Sequence, residues 1–378
     1  MKQLNASNNY FAVNLYKTLA ETHLEENIIY SPFSISASLT MIFMGANGET
    51  EAKISKVLNF DKVDSSFQNF KSDINKLEIS FLKKTAIQLF GEKTYNFLSE
   101  FLDSIQRLSG VELVTVDFKH ASEDARKEIN QWVKEQTEGK IPELLASGEI
   151  DKEDVLVLVN AVYFRVNWEE KFDEALTTDA LFRLNKREKR SVKMICQKKK
   201  LHFGYIKALK CQVLELPYTD NNLSMIILLP DDIEDDSTGL KEIEKQLSME
   251  KLSEWTDHKN MQTIDVCVCI PKFRMENTYN LNSVLTRMGL DDLFTRGKAD
   301  LSGMSGNKDL FISKIVHKSL VEINEEGTEA AAATAGTSSF AKLMSEKPKK
   351  VIADHPFIFI IRHNPTGIFL FFGRFSSP

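Results

Sequence analysis

Four segments of the chain show the hydrophobic spacing of amphipathic helices. In the first, apolar residues recur every four positions over 11–19. A second begins at Ser31-Pro32, because a serine cap followed by a proline in the first turn is typical of a helix start. Two more helices are predicted over 122–138 and 277–288, and each is followed by a glycine.

The later part of the chain has the pattern of β-strands. Residues 155–166 are almost continuously apolar, which is typical of a strand buried on both faces of a sheet. Shorter apolar runs follow, and the last two flank the turn signal Asn364-Pro365-Thr366. The runs lie at 211–216, 223–229, 265–273, 310–323, 356–362 and 367–374. Helices followed by strands predict an α+β fold rather than alternating βαβ units.

One long segment, 325–350, has no hydrophobic periodicity although it lies between two predicted strands. Irregular connections of this length are uncommon in compact domains, and those that occur are usually functional or disordered. Gly327 can act as a hinge, because glycine takes backbone angles that other residues avoid. If the residues after it became a strand, one face would carry only small side chains, at Thr328, Ala330, Ala332, Thr334 and Gly336. From the residues alone, a short alanine-rich helix and a flexible linker remain equally open.

Composition and charge narrow the classes of function. The chain of 378 residues carries a net charge of −6, which argues against a nucleic-acid binder. No stretch is long and apolar enough to span a bilayer, so we expect no membrane partner. The amphipathic N-terminal segment does not have the pattern of a signal peptide, which leaves a cytoplasmic protein and a secreted mature form as alternatives.

The residues that could carry chemistry do not form an enzyme motif. The phosphate-binding, dinucleotide-binding, nucleophile-elbow and zinc-protease patterns are all missing from the sequence. The cysteines Cys196, Cys211, Cys267 and Cys269 are predicted to be reduced core thiols, with no metal site. His317 and His355 lie beside apolar runs, which favours hydrogen-bonded structural histidines.

A series of motifs in conserved order resembles the serpin family over nearly the whole chain. The segment Glu325-Glu326-Gly327-Thr328-Glu329-Ala330-Ala331-Ala332-Ala333-Thr334 is similar to the hinge of that family. Further similar motifs are Asn27-Ile28-Ile29-Tyr30-Ser31-Pro32-Phe33-Ser34-Ile35, Asn130-Gln131-Trp132-Val133, Val159-Asn160-Ala161-Val162-Tyr163-Phe164 with Trp168 and Phe172, Leu214-Glu215-Leu216-Pro217-Tyr218, Pro271-Lys272-Phe273, His355-Pro356-Phe357 and Phe372-Gly373-Arg374. The segment Leu89-Phe90-Gly91-Glu92-Lys93-Thr94-Tyr95 and the ending Phe375-Ser376-Ser377-Pro378 are most similar to the ovalbumin-like, intracellular branch.

The resemblance implies a fold, a mechanism and a partner. The expected fold is one α+β domain over residues 1–378, with three β-sheets, eight or nine helices and an exposed reactive-centre loop at about 325–350. The implied function is suicide inhibition of a serine protease: the protease cuts the loop, remains covalently attached, and is distorted as the loop inserts into the central sheet. We expect a monomer that needs no cofactor. The alternative is a non-inhibitory serpin with a carrier, chaperone or storage role.

The resemblance also assigns site residues. Family spacing from Glu325 predicts cleavage between Ala341 and Lys342, with Phe340–Ala341 and Lys342–Leu343 as alternative registers. These registers imply elastase-, chymotrypsin- or trypsin-like targets. Lys272 is expected to pair with Glu325 at the base of the loop.

Two lysine-rich runs have no role in this mechanism. They are Lys198 to Lys200, and Lys347 with Lys349 and Lys350 beyond the predicted cut. Such runs are usually solvated faces, and a protease exosite or a polyanion site is an alternative without further support.

Overall fold

The structure is a computed structural model that describes residues 2–60, 85–327 and 348–378. The predicted hinge from Thr328 to Thr334 and the predicted reactive bond at Ala341–Lys342, with its alternatives at Phe340 and Leu343, lie outside the described residues. The chain divides into two compact units. The first comprises Met1–Thr18, Tyr30–Tyr163 and Glu276–Leu320, and the second comprises Leu19–Ile29, Phe164–Met275 and Val321–Pro378.

The described residues contain nine α-helices, most of them in the first half of the chain. These are α1 (Lys2–Thr22), α2 (Pro32–Phe43), α3 (Gly48–Val57), α4 (Ser99–Ser109), α5 (Phe118–Gln136), α6 (Lys241–Gln246), α7 (Met249–Thr256), α8 (Asn282–Arg287) and α9 (Ser302–Ser305). None of these helices is both long enough and apolar enough to cross a membrane.

Fourteen strands run through the same described segments. These are β1 (Ile28–Tyr30), β2 (Thr85–Glu92), β3 (Leu113–Val116), β4 (Leu156–Phe164), β5 (Thr178–Arg183), β6 (Lys189–Ile206), β7 (Cys211–Pro217), β8 (Leu223–Pro230), β9 (Gln262–Pro271), β10 (Phe273–Asn280), β11 (Lys314–Ile323), β12 (Lys349–Ile352), β13 (Phe357–His363) and β14 (Ile368–Phe375). The predicted α+β class is confirmed.

Hydrogen bonds join these strands into two sheets. A five-stranded sheet has the order β10-β11-β4-β2-β3, and a nine-stranded sheet has the order β1-β14-β13-β8-β7-β6-β9-β12, with β5 paired to β6. Three sheets were expected. Two hydrogen-bonded sheets form because the 18-residue strand β6 pairs with β5 near its start and with β7 near its end.

The five-stranded sheet is buried on both faces at β4, as the apolar run predicted. Every residue of β4 is buried. On one face, Val157 and Val159 belong to a core cluster with Ile129 and Val133 of α5. On the other face, Asn160 contacts α2 through hydrogen bonds to serines. The central strand is therefore enclosed between two helices.

Local capping chemistry explains where the helices begin. The Ser31 hydroxyl accepts a hydrogen bond from the Ser34 amide at 3.4 Å, which caps α2 as predicted. Helix α5 begins four residues before the predicted 122–138 segment, because Asp117 caps it by accepting from the His120 amide at 3.0 Å.

The helix predicted over 277–288 is wrong in its first part. Residues up to Asn280 belong to strand β10, and only Asn282–Arg287 are helical. In β10, Phe273, Met275 and Tyr279 are buried, Asn277 on the same face is partly buried, and the alternate residues are exposed, which is the two-residue repeat of a strand. The helical spacing seen in the sequence came from the residues after position 280.

The prediction that all four cysteines are reduced is also wrong. Strands β6 and β9 pair in a register that places Cys196 opposite Cys269, and the structure joins them in a disulfide with Cα atoms 4.2 Å apart. Cys211 and Cys267 remain buried thiols. The pairing follows from strand register, which cysteine spacing alone does not contain.

Candidate functional site

The base of the predicted loop is a tight turn that follows β11. The Asn324 side-chain oxygen accepts hydrogen bonds from the amides of Glu326 and Gly327, at 3.1 and 3.0 Å. The Asn324 amide in turn donates to the Gly327 carbonyl at 3.0 Å. An asparagine that bonds to the backbone ahead of it is a common way to end a strand in a turn. The chain therefore leaves β11 in a fixed direction.

A segment after β4 supports this turn through its backbone and one indole ring. The Trp168 amide donates to the Glu326 carbonyl at 2.9 Å, and the Phe172 amide donates to the Glu325 carbonyl at 2.8 Å. The Trp168 indole N–H donates to the Asn324 carbonyl at 2.9 Å. The Trp168 ring stacks on Tyr218 with centroids 4.4 Å apart. The stacked ring positions the indole donor beneath the turn.

The side chain of Glu325 is buried and makes two polar contacts. Its two oxygens lie 2.9 Å from the Lys272 ammonium and 2.8 Å from the Thr177 hydroxyl. Burial alone would raise the pKa of this carboxyl, but the hydrogen bonds from Lys272 and Thr177 outweigh that effect and hold the pKa below its ordinary value. Glu325 is thus an anion at neutral pH.

A second ion pair lies beside the first. The Lys171 ammonium contacts the Glu326 carboxylate, whose side chain is only 9% exposed. Two consecutive acidic residues therefore each have a lysine partner from a different part of the chain. A buried carboxylate with such a partner avoids the cost of an isolated buried charge.

Gly327 occupies a position that only glycine fits without strain. Its φ angle is +128°, and a Cβ placed on it would lie 2.4 Å from the Val166 carbonyl oxygen and 2.6 Å from the Asn167 Cα. These neighbours are backbone atoms, which cannot rotate away as a flexible side chain can. The hinge role of this residue stays a prediction, and the structure shows that a residue other than glycine would be strained here.

The centre of the five-stranded sheet contains a buried polar cluster. His317 on β11 and Asn160 on β4 are joined by a hydrogen bond of 2.9 Å, and the other imidazole nitrogen accepts from the Ser31 amide at 3.1 Å. Asn160 also donates to Ser38 at 2.8 Å and accepts from Ser34 at 2.9 Å. Burial lowers the pKa of His317 to about 3, so the ring is neutral at physiological pH.

The predicted structural roles of two histidines are confirmed. His317 has both ring nitrogens hydrogen-bonded, as described above. His355 contacts Asp354 at 2.7 Å and the Pro230 carbonyl at 2.6 Å. Across the described segments, no group of three or more His, Cys, Asp or Glu side chains is arranged to hold a metal ion.

The structure brings Lys272, Glu325, Glu326 and Gly327 together at the loop base. The roles of Lys171, Thr177 and Asn324 were missed by sequence reasoning. Asn324 could have been found, because asparagine often forms turns by accepting hydrogen bonds from the backbone that follows it, and Gly327 comes three residues later. Lys171 and Thr177 carry no such signal, since they lie in a segment without periodicity.

Comparisons with known proteins agree with this architecture. The sequence model of the family described as Serpin (serine protease inhibitor) matches residues 6–378. The chain is 59% identical to the human leukocyte elastase inhibitor over 381 residues, with all of both chains covered. A crystal structure of maspin matches with a TM-score of 0.89 at 38% identity, over 100% of this chain and 99% of that one. Uncleaved ovalbumin matches with a TM-score of 0.90 at 34% identity, over 100% of both chains. The chain therefore belongs to the serpin family.

Proposed function

We propose that this protein inhibits a serine protease as a suicide substrate, by inserting its cleaved loop into the five-stranded sheet. The observation that carries the proposal is the position of Gly327. It follows the end of β11, and β11 is the neighbour of β4 in that sheet. A loop released after this glycine can fold back between these two strands.

In the proposed reaction the protease supplies all of the chemistry. Its serine attacks the carbonyl carbon of Ala341, the peptide bond to Lys342 breaks, and the amine of Lys342 leaves with a proton. The carbonyl of Ala341 is then an ester on the protease. Insertion of the loop before water hydrolyses this ester leaves the protease covalently attached, so the inhibitor acts without catalysing a reaction of its own.

The energy available from insertion is large enough for this role. About ten new backbone hydrogen bonds at ~1 kcal/mol each give on the order of 10 kcal/mol, before any side chain is buried. This value is comparable to the stability of a whole domain. The uncut protein must then be kinetically trapped, and the contacts around residues 324–327 are well placed to hold it.

An elastase-like protease is the proposed target. Relatives at 58–59% identity carry the name leukocyte elastase inhibitor. Ala341 is a small residue, and a protease selects its substrate chiefly by the pocket that accepts the residue before the cut. The small, uncharged Thr328 and Ala330 favour rapid insertion, so a non-inhibitory role is not favoured.

The test is to incubate the protein with elastase, chymotrypsin and trypsin and to examine denaturing gels for a covalent complex. Mass spectrometry of the released C-terminal peptide identifies the cut, and we expect a peptide that begins at Lys342. Cleavage without a complex across the panel would refute the inhibitory function.

A pair of hinge variants tests the insertion step. We expect Thr328→Arg to convert the inhibitor into a substrate, because the arginine would have to be buried between packed strands. Thr328→Val is the matched control of similar size and should still form the complex. Stable complexes in Thr328→Arg would contradict insertion through this residue.

A further inference from the structure

Strand β9 contacts the chain at both ends of the predicted reactive-centre loop. Lys272, which directly follows β9, pairs with Glu325 before the loop, with 2.9 Å between the ammonium nitrogen and a carboxylate oxygen. Beyond the loop, β12 pairs with β9 in parallel, and the Ala353 amide donates to the Cys269 carbonyl at 2.9 Å. We call these two sets of contacts the loop anchors. The position of one strand therefore determines both of them.

A disulfide fixes β9 near the end of its pairing with β6. The antiparallel ladder between the two strands ends at Pro271. Cys269 lies two residues before that end, where it is opposite Cys196 and bonded to it. Ladder ends open more readily than ladder centres, because fewer contacts hold them. The disulfide therefore prevents β6 and β9 from separating at the end that lies next to Lys272.

The anchor beyond the loop depends strongly on β9. Strand β12 has four residues and lies at the edge of the nine-stranded sheet, with β9 as its neighbour in the strand order of the described segments. Its Val351 side chain is buried, whereas Lys349 and Lys350 are exposed. A short edge strand with few buried side chains belongs to the least stable parts of a fold. Movement of β9 would therefore loosen β12.

The loop anchors matter because the proposed inhibitor is kinetically trapped before it is cut. Contacts that break as a protein leaves a trapped state contribute to the barrier that holds it there. The bond between Cys196 and Cys269 restrains the strand that supports both anchors. Breaking this bond should lower the barrier, and it leaves the sequence of the loop that the protease recognises unchanged.

We propose that the Cys196–Cys269 disulfide is a redox switch that sets how long the uncut protein keeps its inhibitory activity. The inference rests on the proposed function and adds a form of regulation to it. The reductant is a dithiol. Its thiolate attacks one cysteine sulfur and breaks the S–S bond, and its second thiol then attacks the mixed disulfide. Two electrons and two protons pass to the cysteines, which become thiols, and the dithiol becomes a cyclic disulfide.

Burial of the disulfide makes the switch slow. The Cys196 side chain is 0% exposed and the Cys269 side chain is 2% exposed. A reductant reaches them only when the sheet opens locally, so the rate of reduction follows the rate or the population of that opening. The active lifetime of the protein should then respond to sustained reducing conditions.

The experiment measures the half-life of inhibitory activity against elastase at about 37 °C, for the oxidised and the reduced wild-type protein. Dithiothreitol reduces the protein and is removed by gel filtration under argon before elastase is added. Alkylation in denaturant, followed by mass spectrometry, identifies the thiols, which should be Cys211 and Cys267 in the oxidised protein. The variant Cys196→Ala/Cys269→Ala lacks the switch. Cys267→Ala is the matched control, because it removes a buried cysteine of β9 that lies outside the disulfide.

We expect reduction to shorten the half-life of the wild-type protein about tenfold. The variant Cys196→Ala/Cys269→Ala should have the same short half-life with and without dithiothreitol, and Cys267→Ala should respond to reduction as the wild type does. The circular-dichroism signal should stay constant while activity is lost, because the change is confined to the loop and its anchors.

Several outcomes would overturn the switch. They are equal half-lives of the oxidised and reduced wild-type protein, a response to dithiothreitol in Cys196→Ala/Cys269→Ala, alkylation of all four cysteines in the oxidised protein, and global unfolding at the rate at which activity is lost. Failure of the freshly prepared oxidised wild-type protein to form any complex with a protease would instead refute the proposed function.

Discussion

In the ion pair between Lys272 and Glu325, removing the lysine should destabilise the protein more than neutralising the glutamate. The Glu325 side chain is 8% exposed, whereas the Lys272 side chain is 46% exposed. Within the part of the chain that the structure describes, removing the lysine leaves a buried carboxylate with the Thr177 hydroxyl as its side-chain donor. Removing the charge on the glutamate leaves a lysine that water can solvate.

The expected energies differ accordingly. Lys272→Met should lower the free energy barrier to unfolding by about 3 kcal/mol, because an uncompensated buried charge remains. Glu325→Gln should cost only about 1 kcal/mol, since the amide still accepts from Thr177 and Lys272 becomes hydrated. The double variant Lys272→Met/Glu325→Gln should be more stable than Lys272→Met alone, because it removes the buried charge.

The assay is the rate of urea-induced unfolding followed by tryptophan fluorescence, because a kinetically trapped protein has no simple equilibrium stability. Lys210→Met is the control, since Lys210 pairs with Glu234 and both side chains are more than 60% exposed. We expect it to unfold at the wild-type rate. Equal effects of Lys272→Met and Glu325→Gln, or a double variant less stable than Lys272→Met, would refute the reasoning.

Three further predictions concern the buried histidine, the hinge glycine and the disulfide. Burial lowers the pKa of His317 from 6.5 to about 3, so the free-energy barrier to unfolding should be constant above pH 6.5 and should be lower by up to about 2 kcal/mol at pH 5. The rate of urea-induced unfolding of His317→Asn should depend less steeply on pH, and the difference between the two proteins separates this ring from His363, whose pKa burial also lowers. Gly327→Ala should destabilise the loop base by about 2–3 kcal/mol because of its positive φ and backbone contacts, and an unchanged unfolding rate would contradict this. The disulfide Cys196–Cys269 joins residues that are 73 positions apart, and its reduction should lower stability by up to about 4 kcal/mol. Unchanged unfolding of the variant Cys196→Ala/Cys269→Ala would count against this prediction.

The parts of the fold that were predictable from the sequence are those determined by local patterns. The continuous apolar run of β4 and the serine-proline start of α2 each depend on neighbouring residues, and both appear as predicted. Strand β10 was mistaken for a helix because its polar residues hid a two-residue repeat, while the helical residues that follow it dominated the pattern.

The parts that were not predictable depend on register between distant segments. Cys267 and Cys269 lie in the same apolar run, and the sequence does not show which of them faces Cys196. The pairing of β6 with β9 places Cys269 opposite Cys196. Lys171 likewise meets Glu326 across a long sequence separation, so no local pattern could reveal it.

The structure of the loop base explains why glycine at position 327 suits both the uncut protein and the proposed form with the loop inserted. Before cleavage, Gly327 has a positive φ and its backbone packs against Val166 and Asn167. After insertion the same residue would have to be extended between β11 and β4, with a negative φ. Glycine adopts both conformations at little steric cost, whereas any side chain would be strained in the first. The turn at Asn324, with Glu325 and Glu326 held by their lysines, can then remain in place, and the loop pivots at the residue that follows it.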